Sequence, residues 1–334
     1  MTAVPALAFS VRSLTKRYGL VSAIENVSFT VASGTTAALV GPRGAGKTTI
    51  VKTLLGLLEP TSGTAAVGGP GTSRARGDAD REIDSARVIG GVLAPRGLHP
   101  GRTARDHLRI YAAAVNVPDA RVEEVLDLVG LGESAGSKGG ALSAGQQTRL
   151  ALATALLGDP PLLILDEPMD GLEAAERGWL QDFLRRHAKR GGSALVTSES
   201  LAAVLPGADS VIVLSEGAVV YQGSPARLRR GHPDRLVVAA STPIALATTL
   251  AARGFTDAVI RPDGRLAVAE ATEADIRDAA TAAQVRLDSI IPDLIHPDRV
   301  LASLTKPPTP TVSPYPGLAG AAQHPTPTPY GIPR

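Results

Sequence analysis

Between residues 41 and 48 the chain reads Gly41-Pro42-Arg43-Gly44-Ala45-Gly46-Lys47-Thr48. The spacing G-x-x-x-x-G-K-[S/T] suits an anion with several oxygens. Glycines let backbone N–H groups curl around phosphates, Lys47 reaches the β and γ phosphates, and the Thr48 hydroxyl ligates Mg²⁺. A second constellation, Leu162-Leu163-Ile164-Leu165-Asp166-Glu167, is an apolar run closed by two carboxylates. Such a strand delivers one acid to a metal and the other to a water: Asp166 would hold Mg²⁺ through water and Glu167 would polarise the attacking water. Each string alone also has a plain reading, a chance glycine turn or a buried strand ending in solvated acids.

Elements in a fixed order are needed to bring these groups together. An apolar strand over Thr36–Val40 feeds straight into the glycine-rich stretch, and a helix over 47–58, ended by Glu59-Pro60, leaves it with its positive end at the same anion. Residues 7–14 and 24–32 alternate as strands. From 102 to 133 the spacing becomes helical, with Leu108, Tyr111, Ala112 and Val115 on one face and Val122, Val125, Leu126 and Val129 on another. Strands return at 162–165, 194–197, 211–214 and 219–221, with a helix over 173–189. Alternating strands and helices predict an α/β, doubly wound parallel core with antiparallel additions. Beyond Gly223-Ser224-Pro225 and the basic Arg227, Arg229 and Arg230, strands at 236–240, 257–260 and 266–269 and helices at 243–253 and 273–283 predict a small α+β unit. Residues 306–334 hold nine prolines and little aliphatic bulk, a composition that favours a disordered tail.

Composition narrows the partners. The chain has 334 residues, room for one sizeable domain and a smaller one. A formal charge of +2 leaves no basic face for nucleic acid. Absence of cysteine excludes disulfides and thiolate metal sites, suits a reducing cytoplasm, and the six histidines are not at ligand spacing. The first ten residues lack a charged leader and a long apolar run, and no segment reaches the roughly 18 apolar residues of a membrane span. If this protein works at a membrane, another chain must supply the channel.

A third string, Leu142-Ser143-Ala144-Gly145-Gln146, opens an Ala/Leu-rich helix between the other two. With all three in order, the chain over residues 7–223 resembles the ABC ATPases, whose signature reads LSGGQ. The resemblance implies a P-loop NTPase core of ABC ATPase type over 7–225 with an antiparallel β subdomain and a helical insert near 100–158. A C-terminal accessory domain over 233–305 and the tail over 306–334 would follow. It implies ATP and Mg²⁺ as cofactors, held by Gly41, Pro42, Arg43, Gly44, Ala45, Gly46, Lys47, Thr48 and Thr49, with Thr48 and Asp166 on the metal and Glu167 catalytic. Tyr18 matches the aromatic that stacks on adenine, with a core tyrosine as the alternative. Two domains stack head to tail in this family, as homodimer or heterodimer. Ser143 and Gly145, flanked by Leu142, Ala144 and Gln146, would then bind the γ phosphate of the partner's nucleotide at a helix start. A separate transmembrane permease is the implied partner, placing the chain peripherally on the cytoplasmic face of the cell membrane. The ending Val300-Leu301-Ala302-Ser303-Leu304-Thr305 is similar to that of bacterial drug- and lipid-exporter ATPases, which implies export.

Two expected γ-phosphate sensors are replaced. Ala94 stands where the family has glutamine and Glu199 where it has histidine. No glutamine precedes Gln146, and no histidine lies between His187 and His232. A carboxylate about 5 Å from a phosphate charge costs roughly 3 kcal/mol at an effective dielectric near 20. Glu199 must therefore turn away, be protonated or take a counterion. Arg43, where the family usually has asparagine, is a candidate counterion, or else a solvated side chain. Ala144 for a signature glycine and Glu173 for the aspartate after Gly171-Leu172 are smaller departures. Slow hydrolysis is the leading expectation. A regulatory or degenerate partner with little ATPase activity is the alternative, and a soluble ABC protein acting on DNA or ribosomes is a third, weakened by the single ATPase unit.

Overall fold

The computed structural model describes residues 6–68 and 88–306. The tail expected over 306–334 lies, apart from Lys306, outside the described residues. The chain opens with a long antiparallel ribbon, β1 (Leu7–Tyr18) and β2 (Val21–Ala32), closed by a tight turn that pairs Tyr18 with Val21. Both strands outrun their expected spans of 7–14 and 24–32. Their added ends are polar or exposed and are held by main-chain pairing, so they lack the alternation that marks a half-buried strand. β3 (Thr36–Val40), buried throughout, leads into the 41–46 loop and α1 (Lys47–Leu54). This helix is shorter than the expected 47–58. The Gly56 and Leu57 N–H groups fold back on Thr53 O and Lys52 O at 3.0 and 2.8 Å, closing it before Glu59-Pro60 is reached. β4 (Ser62–Val67), not anticipated, pairs with β1 and completes a three-stranded antiparallel sheet.

β5 (Ile89–Val92) precedes three helices: α2 (Ala104–Ala114), α3 (Asp119–Leu128) and α4 (Ala144–Ala155). Val122, Val125, Leu126 and Val129 are fully buried as their spacing demands. On the other predicted face Leu108 and Ala112 are buried, whereas Tyr111 is exposed. β6 (Leu162–Leu165), α5 (Ala174–Lys189), β7 (Ser193–Ser198), the single turn α6 (Leu201–Val204), β8 (Ser210–Ser215) and β9 (Ala218–Gly223) complete a six-stranded sheet of order β5-β6-β7-β3-β8-β9, parallel except for β9. Alternation within β3 divides the core. Ala37 and Leu39 face α1 and the three-stranded sheet, while Ala38 and Val40 face the helices. This is the P-loop α/β core with antiparallel subdomain and helical insert.

α7 (Pro225–Gly231) leads to β10 (Arg235–Ala240), α8 (Pro243–Ala252), β11 (Ala258–Ile260), β12 (Leu266–Ala269), α9 (Glu273–Ala282), β13 (Leu287–Asp293) and α10 (Pro297–Thr305). The four strands form an antiparallel sheet, order β11-β12-β10-β13, with a separate apolar core that includes Leu246 and Leu250 of α8 and Ile276 and Ala279 of α9. This is the small C-terminal α+β unit. α10 does not share that core. Its Val300 and Leu301 are buried in the helical-side core of the first unit.

No helix among the described residues is long and apolar enough to cross a membrane.

Candidate nucleotide site

Strand register assembles the site. Val92 pairs with Leu165, Leu165 with Val196, and Val40 with both Ser198 and Val213, so β5, β6, β7, β3 and β8 end level with one another. The glycine-rich loop, the Asp166-Glu167 pair and Glu199 therefore emerge along one sheet edge, the place where open parallel sheets bind ligands. Gly46, at φ +100°, lies where an added Cβ would strike Ile24 Cγ2 and Ala23 O, so the loop is moulded against β2.

Lys47 is buried, and its Nζ donates to Gly41 O at 2.8 Å and Pro42 O at 3.2 Å while lying 3.2 Å from Glu167 Oε1. Thr48 Oγ1 donates to Asp166 Oδ2 at 2.9 Å. Thr197 Oγ1 donates to Asp166 Oδ1 at 2.7 Å and accepts the Glu167 N–H at 2.8 Å. Thr197, which no sequence motif singles out, thus fixes both acids. The available signal was a buried threonine directly after the aliphatic Ala194-Leu195-Val196 of that strand. Glu167 takes a positive φ of 48° and accepts the Glu199 N–H on Oε2 at 3.1 Å, whereas Oε1 has the ammonium beside it but no regular hydrogen bond. Burial pushes the Glu167 carboxyl above its ordinary value, and Lys47 opposes that rise.

Glu199 and Ala94, the two positions expected to replace sensors, differ in surroundings. Glu199 turns its carboxylate to Arg43, with Nε to Oε1 at 3.3 Å in a largely solvated pair. Ala94 is exposed just past β5. Two residues on, Arg96 donates to Asp170 O at 3.3 Å, a contact between the segment after β5 and that after β6. Tyr18 is 52% exposed, which is not a core position, and Lys16 Nζ lies 5.2 Å from its ring centre.

Ser143 caps α4 through a reciprocal box, accepting the Gln146 N–H at 3.2 Å while its own N–H donates to Gln146 Oε1 at 3.0 Å. Ser143 and Ala144 are exposed. Leu142 and Gly145 are buried, and a Cβ on Gly145 would strike the Glu176 carboxylate. α4 packs on α2, α3 and the edge strand β5, three strands along the sheet from β3, which the glycine-rich loop follows.

The loop, its buried ammonium and the paired hydroxyl and carboxylate fit a nucleotide with a hard cation. Thr48 Oγ1 and Asp166 are the oxygen ligands Mg²⁺ prefers. No group of three or more His, Cys, Asp or Glu among the described residues could hold a metal without further ligands. Phosphate and water oxygens would complete the shell.

A parallel sheet with this loop at its edge defines a P-loop nucleotide-binding ATPase. The family described as ABC transporter matches residues 24–170. A Nod factor export ATP-binding protein of Burkholderia lata is 35% identical over 66% of this chain and 72% of its own. A sulfate/thiosulfate import ATP-binding protein of Chromobacterium violaceum is 34% identical over 68% and 62%. The solved structure of an ATP-binding subunit of an ABC transporter superposes with a TM-score of 0.58 at 28% identity, covering 67% of this chain and 92% of that one. The chain belongs to the ABC transporter family, as an ATP-binding, ATP-hydrolysing domain.

Proposed function

We propose that this chain binds Mg·ATP between its own phosphate loop and the signature of a second ATPase domain, hydrolyses it slowly, and drives a separate transmembrane permease from the cytoplasmic face of the membrane, as an exporter. Family members dimerise and bind and hydrolyse ATP, and the family's ATPase domains pair with a separate permease. In the proposed cycle the 41–46 backbone N–H groups and Lys47 hold the phosphates. Thr48 and Asp166 hold the magnesium ion, Tyr18 stacks on adenine, and Ser143 and Gly145 of one molecule cover the γ phosphate bound by the other. When bound, the ion would neutralise phosphate charge and orient the transferred group. Glu167 accepts a proton from the attacking water, a role its raised pKa favours. Lys47 also contacts Gly41 O, Pro42 O and Glu167, and a phosphate would compete with these contacts for the ammonium.

The observation that carries this reading is the convergence of Lys47, Thr48, Asp166 and Glu167 at one sheet edge. Slow turnover is proposed because Glu199 offers an acceptor, turned to Arg43, where a donor to the γ phosphate would serve, and because Ala94 supplies no polar group. Export rests on the ending Val300–Thr305 and its likeness to exporter ATPases, since the relatives themselves include both directions. We place the ATPase domain at 7–225 and the accessory domain at 233–305, with α10 serving both.

Steady-state hydrolysis by the purified chain and by an Ala94→Gln, Glu199→His double variant tests the slow site. The double change should raise kcat about tenfold, which one or two restored charge-assisted contacts can supply. Brisk turnover by the unmodified chain, unaltered by the double change, would sink it. A degenerate, regulatory subunit is the second reading, favoured by the acid at position 199. Under it Glu167→Gln leaves the residual rate untouched, whereas the catalytic reading requires that rate to vanish.

A further inference from the structure

We propose that Asp298, on the C-terminal helix α10, is a positioning residue for hydrolysis that holds in place the segment presenting the Glu199 N–H to Glu167. The inference rests on the proposed role of Glu167. Beyond β7 the chain must turn sharply while keeping the Glu199 N–H aimed at Glu167 Oε2, 3.1 Å away. The turn is clasped by Ser198, whose Oγ donates to Ser200 O at 2.9 Å and accepts the Ser200 N–H at 3.0 Å. Ser200 then caps α6, accepting the Ala203 N–H at 3.2 Å. A helix of one turn cannot hold itself, because its nucleation cost is not recovered.

Asp298 supplies what α6 lacks. The Ser200 hydroxyl donates to both of its carboxylate oxygens, at 3.2 and 3.1 Å, and the Ala202 N–H donates to Oδ1 at 3.1 Å. Leu201 and Val204 of α6 are buried, yet a cavity of about 160 Å³ among Leu201, Leu205, Leu228 and Val300 leaves the apolar packing in this seam incomplete. α10 is independently fixed by buried Val300 and Leu301 and by the Ser215 hydroxyl, which donates to Thr305 O at 3.3 Å. The carboxylate therefore acts from a fixed helix on a weakly self-supported turn, two residues from the amide that steadies Glu167. His296 Nδ1 lies 3.8 Å from the same carboxylate and accepts the Asp298 N–H at 3.3 Å, which ties Asp298 to the start of α10.

Asp298→Ala and the isosteric Asp298→Asn are compared with the unmodified full chain in kcat, in KM for ATP and in amide hydrogen exchange over residues 199–203. Asp298→Ala should lower kcat about tenfold with KM changed less than about twofold, as expected when a reacting group is misplaced without loss of substrate binding. The 199–203 amides should exchange about tenfold faster. Asp298→Asn keeps one acceptor oxygen and should recover part of both, and it replaces the alanine variant if that one does not fold. An unchanged kcat, or exchange over 199–203 that does not move, overturns the proposal. Undiminished turnover in Glu167→Gln overturns the catalytic reading beneath it instead.

Discussion

Buried Lys47 and half-buried Glu167 form a pair whose members respond in opposite ways to ATP. Phosphate attracts the ammonium, whereas the carboxylate 3.2 Å away competes for it and repels the ligand. Glu167→Gln removes the competing charge, so it should bind ATP about tenfold more tightly while losing turnover, a difference of about 1.4 kcal/mol readable by fluorescent-nucleotide titration. A second residue titrates far from the site. His187 is buried beneath Gly192, and its Nε2 meets Pro161 O at 3.1 Å, an acceptor that keeps a proton on Nε2 and only partly offsets the burial. Burial pulls its pKa below the ordinary 6.5. As pH falls through 6.5 the unfolded chain takes up a proton that the native state refuses. Stability is then lost from 6.5 down to the lowered native value, and restored as pH rises. His187→Gln should lose less stability than the unmodified chain between pH 7.5 and 5.5, as chemical denaturation at the two values will show.

At the scale of elements, the helical insert was legible because Val122, Val125, Leu126 and Val129 recur at a helix's spacing and are all buried. The capping box of α4 is a finding of the structure, since the sequence marks Ser143 and Gln146 only as a signature at a helix start. Ser143→Ala leaves the first turn of α4 unsatisfied and should cost about 1 kcal/mol in denaturant unfolding. Other elements resisted reading for physical reasons. β4, Ser-Gly-Thr-Ala-Ala-Val, has little intrinsic preference for a strand and exists because β1 offers it an edge. β13 carries Pro292, which argues against a strand, yet it occupies the end of its sheet, where proline is tolerated. α1 was read four residues too long because apolar Leu55, Leu57 and Leu58 continue past its closing turn.

For the molecule as a whole, strand order separates the signature from the loop. The loop follows β3, whereas α4 packs on β5, three strand spacings or about 14 Å across the sheet. A signature on that edge therefore serves a second molecule under the proposed function. Glu167→Gln with Mg·ATP should sediment at twice the mass of the nucleotide-free chain. A monomer under both conditions would count against the shared site.

The sequence by itself determined the chemistry on offer: which acids, and which lysine and hydroxyl. Those are facts of residue type and short spacing, set by contacts within one strand, loop and helix. Tertiary structure alone decided how they are held. Thr197 lies 31 residues from Asp166, Arg43 lies 156 from Glu199, and Asp298 lies 98 from Ser200. No local pattern encodes such pairs, because each exists only once strand order and helix docking have closed the chain on itself.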